Sequence, residues 1–155
     1  MRSATTINWT GSESTVWDLD NTTNFLKGEE KSTFVTGDDV FFGDDATQFN
    51  VTINSELETD TIFVENTKAY TIQGTGSITG NSMLNKSGKG LLTIKTENAY
   101  TGGNRISGGA VIVTSLANST QAKGNLGAVT TNASKFVIEN GGELRTTAAV
   151  TNGST

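Results

Sequence analysis

Aspartates in short turns are the first residues of this 155-residue chain that could do chemistry, as ligands of a cation. Asp18, Asp20, Asp44 and Asp45 lie in acidic turns of the first fifty residues, and calcium takes carboxylate oxygens in loops. The segment Asp18-Leu19-Asp20-Asn21 lacks the glycine and the closing glutamate of an EF-hand. Because aspartate is also an ordinary turn residue, these four residues are weak calcium candidates, and we predict no other metal site.

Aromatic rings offer a second kind of chemistry, since a flat ring face can stack on a sugar. Trp9, Trp17 and Tyr100 are the candidates for such a glycan platform. The alternative is that they fill the core or cover one end of the fold, where open strand edges would otherwise pair with other molecules. The chain contains few aromatic residues, so we favour the core interpretation.

Groups suited to catalysis are scarce. The chain has no Cys and no His, which excludes thiolate catalysis, a Ser-His-Asp triad and ordinary zinc sites. Acids suited to glycoside hydrolysis, such as Glu56, Glu58, Asp60 and Glu65, have no cluster of basic residues beside them in the sequence. The net charge of −5 argues against nucleic acid and anionic membranes as partners. We therefore predict a protein that is not an enzyme and uses no cofactor.

Short strands must position these side chains. Thr, Asn, Ser and Gly make up nearly half of the chain, and they favour strands and turns. From residue 51 onward, apolar segments of three or four residues alternate with glycine-rich turns, and they lie too close together for helical crossovers. Antiparallel hairpins and a parallel β-helix both fit this spacing. We favour the β-helix, with Ile, Val, Leu and Phe inside and Thr, Asn and Lys outside, because a sandwich usually has longer strands. The segments are Val51–Ile53, Ile62–Val64, Tyr70–Ile72, Ser77–Thr79, Leu91–Ile94, Ala110–Val113 and Phe136–Ile138.

Residues 1–50 differ from the rest because they contain both tryptophans and most of the phenylalanines. They are predicted to form aromatic-rich N-terminal coils or a cap, and residues 51–155 to form the β-helix coils of one continuous domain. Within residues 1–50, Glu29–Ser32 is predicted to be a charged loop. Further along the chain, Leu116–Lys123 is predicted to be a loop or a single helical turn. No signal peptide is visible, so an exported chain would have to be a fragment of a longer protein.

The most informative pattern is the stretch 84–113, which combines a Gly-x-Gly, an Asn-x-Tyr-Thr-Gly-Gly and a second Gly-Gly pair. Glycine permits the positive φ that a sharp bend requires. Asn98 can bond its own backbone two residues on and close a corner, or it can stack in a ladder on the next coil. Tyr100 can cover an apolar gap while its hydroxyl reaches solvent or a backbone carbonyl. The fixed positions of the pattern are Gly88, Gly90, Asn98, Tyr100, Gly102, Gly103, Gly108 and Gly109.

In these positions the segment resembles the autotransporter-associated β-strand repeat, also called the passenger-associated transport repeat. Asn104 stands where that repeat usually has Thr, and Ala110-Val111 stands where Thr-Leu is usual. The resemblance implies an all-β, right-handed parallel β-helix. It also implies the passenger domain of a bacterial autotransporter, which type V secretion carries across the outer membrane to the cell surface.

A passenger of this kind implies a non-catalytic stalk or adhesion scaffold that aids passenger folding during export. Its expected partners are other segments of the same passenger, or a glycan or protein on a host or bacterial surface, with no direct membrane insertion by this segment. The residues leave one alternative open, which is a carbohydrate-binding module of a surface polysaccharide-processing protein.

Overall fold

The computed structural model describes residues 2–116, 123–128 and 130–147, which form β-strands, turns and one 3₁₀ helix, Ala133–Lys135. The strands of these residues are β1 (Thr6–Trp9), β2 (Phe25–Lys27), β3 (Glu30–Ser32), β4 (Asp39–Phe42), β5 (Asn50–Thr52), β6 (Glu56–Glu58), β7 (Thr61–Glu65), β8 (Tyr70–Gln73), β9 (Ser77–Thr79), β10 (Met83–Ser87), β11 (Leu91–Ile94), β12 (Gly103–Ile106), β13 (Ala110–Val113), β14 (Phe136–Ile138) and β15 (Glu143–Thr146).

The strands stack into three sheets. Sheet A has the order β14-β12-β10-β7-β4-β1-β2-β3, sheet B the order β15-β13-β11-β8-β5, and sheet C pairs β6 with β9. All strand pairs described beyond residue 51 are parallel. The chain therefore winds as a parallel β-helix, and the predicted fold is confirmed. Each full turn, called a rung below, hydrogen-bonds to the rungs before and after it.

The rungs have a nearly constant length. Val40, Ile62 and Leu84 are in register in three successive rungs, each 22 residues from the next. The following step, from Leu84 to Asn104, takes 20 residues. Two turns of sheet A are longer, since the step from Ile7 to Val40 takes 33 residues and the step from Asn104 to Phe136 takes 32. The predicted loop Leu116–Lys123 falls in the sequence of the second of these turns, and its residues 117–122 lie outside those that the structure describes.

Columns of inward-facing side chains form the core, because alternate residues of a strand face the same side. One column of sheet A contains Ile7, Val40, Ile62 and Leu84, all at most 2% exposed. The neighbouring column reads Trp9, Phe42, Val64, Lys86, Ile106 and Ile138. Lys86 is fully buried, so the prediction that lysines lie on the outer face is wrong at this position.

Aromatic rings close the N-terminal end of the β-helix. Trp17 lies 5.4 Å from Phe34 and 5.5 Å from Phe42 between ring centroids, and Trp9 lies 5.3 Å from Phe25. Strands β2 and β3 form an antiparallel hairpin that extends sheet A beyond β1. The predicted loop Glu29–Ser32 is therefore wrong, because residues Glu30–Ser32 pair with β2. The charged residues of β3 leave a polar sheet edge, which discourages pairing with another chain.

A buried ion pair fixes the N-terminal segment to this cluster. The Arg2 guanidinium donates to both carboxylate oxygens of Asp38, at 2.8 and 2.5 Å. Asp38 is fully buried and also accepts the backbone N–H groups of Thr5 and Val35. The hydrogen bonds to this carboxylate raise the pKa of Arg2.

The described C-terminal rung has no such cover. Phe136 is 37% exposed and Ile138 is 45% exposed. The residues in register with them one rung earlier, Asn104 and Ile106, are 5% and 0% exposed. The two ends of the described β-helix thus differ, one closed by rings and a hairpin, the other presenting its inner face.

Candidate functional site

Asn98 connects three levels of the β-helix. Its side-chain Oδ1 accepts the N–H of Ile78 at 3.0 Å, and its Nδ2 donates to the carbonyl of Asn125 at 2.9 Å. The side chain is fully buried. Both bonds are to backbone groups of other coils, so neither the bond to its own backbone nor a ladder of stacked side chains describes them. The backbone of Asn98 also forms an antiparallel bridge with Gly124, so its side chain adds bonds to those of the backbone.

Asn125 plays a matching role that the sequence did not reveal. Its Oδ1 accepts the N–H groups of Thr114 and Ser115, at 2.7 and 2.8 Å, and its Nδ2 donates to the carbonyl of Thr96 at 2.9 Å. The side chain is fully buried. The signal available in the sequence was an asparagine between two glycines, Gly124 and Gly127, directly after a polar stretch.

Tyr100 and Asn104 form a buried pair. The Tyr100 hydroxyl donates to Oδ1 of Asn104 at 2.5 Å, and Nδ2 of Asn104 donates to the carbonyl of Leu126 at 2.9 Å. Burial raises the pKa of Tyr100. The expected partner of this hydroxyl, solvent or a backbone carbonyl, is wrong, because the side chain that departs from the repeat supplies the acceptor.

Lys86 holds the glycine-rich corner between sheets A and B. Its Nζ donates to the carbonyls of Ser87, Gly88 and Gly108 at 2.7, 3.2 and 3.3 Å. Gly108 belongs to the next rung, so the ammonium joins two rungs. Burial lowers the pKa of Lys86 to about 8, because a charged ammonium loses its hydration there.

Glycine is required at the corners because the rungs approach each other closely. A Cβ at Gly102 would lie within 3.0 Å of the carbonyl oxygens of Asn81 and Ser82 in the preceding rung. A Cβ at Gly109, whose φ is +60°, would meet the carbonyl oxygens of Gly90 and Gly88. Lys89, which lies between Gly88 and Gly90, is exposed, as expected for a lysine on the outer face.

The three candidate residues for sugar stacking are all buried. Trp9 is 3% exposed, Trp17 0% and Tyr100 2%. The Trp9 Nε1 donates to the carbonyl of Gln48 at 2.8 Å. These rings present no face to solvent, so the candidate glycan platform is not formed, and the favoured core interpretation describes them correctly.

The four calcium candidates do not converge. Asp18 accepts the N–H and hydroxyl of Thr22, and Asp20 accepts the hydroxyl of Thr33. Asp44 accepts the hydroxyl and N–H of Thr67, which lower the pKa of its carboxyl. Across residues 2–116, 123–128 and 130–147 the structure contains no group of three potential ligands that could hold a metal ion. Asp18 is thus used within its own turn, Asp20 and Asp44 bind threonines 13 and 23 residues further along the chain, and Asp45 lies exposed at a corner.

Comparisons with protein-family models, with curated proteins and with solved structures find no match for this chain. Nor does the described part of the chain contain a helix of the length and apolar character needed to cross a membrane. The fold and the site define a class, a parallel β-solenoid whose repeat residues bind one rung to the next.

Proposed function

We propose that this chain is a non-catalytic β-helical segment of a bacterial autotransporter passenger, exposed at the cell surface after type V secretion. In this role it is a stalk or adhesion scaffold, and its repeat assists passenger folding during export. Its direct partners are neighbouring segments of the same passenger.

One observation supports the proposal: the polar residues of this stretch bond within the β-helix, Asn98 and Lys86 between rungs and Tyr100 through Asn104, which bonds in turn to Leu126. The amide of Asn98, the hydroxyl of Tyr100 and the ammonium of Lys86 are all buried and hydrogen-bonded within the chain. A catalytic or ligand-binding motif would instead leave polar groups facing a cleft. Side chains used in this way favour a mechanical role.

The stacking also suits folding during export. Each rung supplies hydrogen-bond partners for the next, so the structure can grow by one turn of about 20–22 residues at a time, as repeat proteins do. The C-terminal rung described above, with Phe136 and Ile138 partly exposed, is a surface on which a further rung of a passenger could stack.

The test uses the full-length protein that carries this segment, expressed in a bacterium, with surface display measured by protease accessibility on intact cells. The test variant combines Gly102→Val and Gly109→Val, which place side chains against the preceding rungs. The control is Gly28→Val, which has a similar positive φ of +62° but no heavy atom within 4 Å of its added Cβ. We expect the double variant to lose most of its surface signal and the control to retain it.

Two results count against the proposal. Unchanged display of the double variant would remove the role in export. Retention of the wild-type protein inside the cell would remove the surface location, and with it the role as a passenger.

A further inference from the structure

A groove of about 530 Å³ lies beside sheet A, next to the corners of the first rungs. Apolar side chains form part of its lining. Leu26 of β2 and Phe41 of β4 are half-buried there, and Ala46 lies beside them. This groove is separate from the repeat residues that join the later rungs.

Phe41 is the principal apolar surface of the groove. It points outward from β4 and is half-buried. A Cβ on Gly43 would lie 2.9 Å from Cε1 of the Phe41 ring. The Phe41 ring therefore lies along the strand over Gly43. This position of the ring requires a residue without a side chain at position 43. A ring lying along a strand in this way offers a face to a ligand.

The charged residues that line the groove are all acidic, and the exposed amide of Asn8 lies among them. Asp45 and Glu65 are exposed, and the described residues give neither side chain a hydrogen bond or an ion pair. Asn66 is 1% exposed, and its Oδ1 has no hydrogen-bond partner in the described structure. No lysine or arginine lines the groove. The negative charge of the lining favours a ligand with positive charge.

The same features determine which type of cation fits the groove. The described residues do not bring three acidic ligands together, so a divalent metal ion lacks a coordination set there. An aromatic face beside carboxylates instead suits an ammonium or guanidinium with an apolar stem. A related arrangement exists in the described part of the chain, where Lys68 Nζ lies 5.4 Å from the centroid of the Phe49 ring and donates to the backbone carbonyl of Asp44 at 3.3 Å.

We propose that this groove binds a lysine or arginine side chain from a segment of a partner protein. The stem lies along Leu26 and Phe41, and the charged head lies between Asp45 and Glu65. This binding role does not depend on the passenger function proposed above, since a β-helix in any setting would present the same groove.

The test measures binding of a fluorescein-labelled tetralysine peptide by fluorescence anisotropy at low ionic strength, where exposed charges are least screened. One variant combines Asp45→Asn and Glu65→Gln. A second is Phe41→Leu. We expect the affinity to fall about tenfold for the first and about three- to fivefold for the second, which are changes typical of exposed charge and cation–π contacts.

Matched controls separate the groove from the general negative charge of the chain. Glu29→Gln with Glu30→Gln removes the same charge at the hairpin, and Phe63→Leu changes the outward ring in register with Phe41. We expect both controls to bind within about twofold of wild type. Equal losses in control and groove variants would overturn the proposal, as would displacement of the peptide by neutral maltohexaose, which would indicate a carbohydrate site.

Discussion

A comparison of Gly109→Ala with Gly28→Ala separates two causes of lost stability, backbone strain and steric contact between rungs. The two glycines have nearly identical φ values, +60° and +62°, so the left-handed conformation costs each alanine about 1–2 kcal/mol. At Gly28 the added Cβ has open space, whereas at Gly109 it meets Gly90, Gly88 and Lys86 Nζ. Overpacking of this kind costs about 1–3 kcal/mol more.

We therefore expect Gly28→Ala to lower the free energy of unfolding by about 1–2 kcal/mol, and Gly109→Ala to lower it by about 2–5 kcal/mol. Urea denaturation of the purified chain measures both values. Far-UV circular dichroism follows the strands, and fluorescence follows Trp9 and Trp17 in the N-terminal cluster. Equal losses for the two variants would refute the close approach of rungs as the reason for glycine at Gly109.

Two further predictions concern buried polar groups. Stability should rise between pH 8 and 10, because burial lowers the pKa of Lys86 to about 8 and the folded chain then binds fewer protons than the unfolded chain. Above pH 10 stability should fall, because burial raises the pKa values of Tyr70 and Tyr100 and unfolding then releases protons. A Lys86→Met variant should lack this rise when urea midpoints are measured between pH 8 and 10. A variant with the same pH profile of urea midpoints as the wild type would contradict the assignment of the rise to Lys86. Asn98→Ala should lower the free energy of unfolding by about 2–4 kcal/mol, because it leaves two buried backbone partners unpaired. The outward-facing control Asn85→Ala should lower it by under about 0.5 kcal/mol. Similar urea midpoints for the two variants would refute the role of Asn98.

The parallel β-helix could be predicted from residues 51–113 because each strand there carries a simple signal. In β11 the inward residues Leu92 and Ile94 alternate with half-exposed Leu91 and Thr93, and glycine follows or precedes the strands at the corners. Local alternation and bend chemistry suffice when every turn of the chain repeats them.

Lys86 shows where this reasoning fails. Its inward position follows from the alternation of β10, yet a lysine is read as a surface residue unless its acceptors are known. Those acceptors are carbonyls of the corner and of the next rung, Gly108, which only the stacked structure brings together. The same holds for Asn125, whose partners Thr96 and Thr114 come from two separate strand ends.

The hairpin was missed for a related reason. Strand β3 is Glu-Lys-Ser, a composition that favours a loop when judged alone. Pairing with Phe25 and its neighbours in β2 makes it a strand, because backbone hydrogen bonds do not depend on side-chain polarity.

The long turn between Asn104 and Phe136 has a consequence for how such a molecule can diversify. Ten residues beyond the usual 22 are accommodated there while Asn104, Arg105 and Ile106 still pair in register with Phe136, Val137 and Ile138. Because closure of a longer loop adds little entropy cost, the helical pitch is insensitive to what is inserted. A module inserted in this turn would project from the side of the β-helix without changing the length or direction of the β-helix.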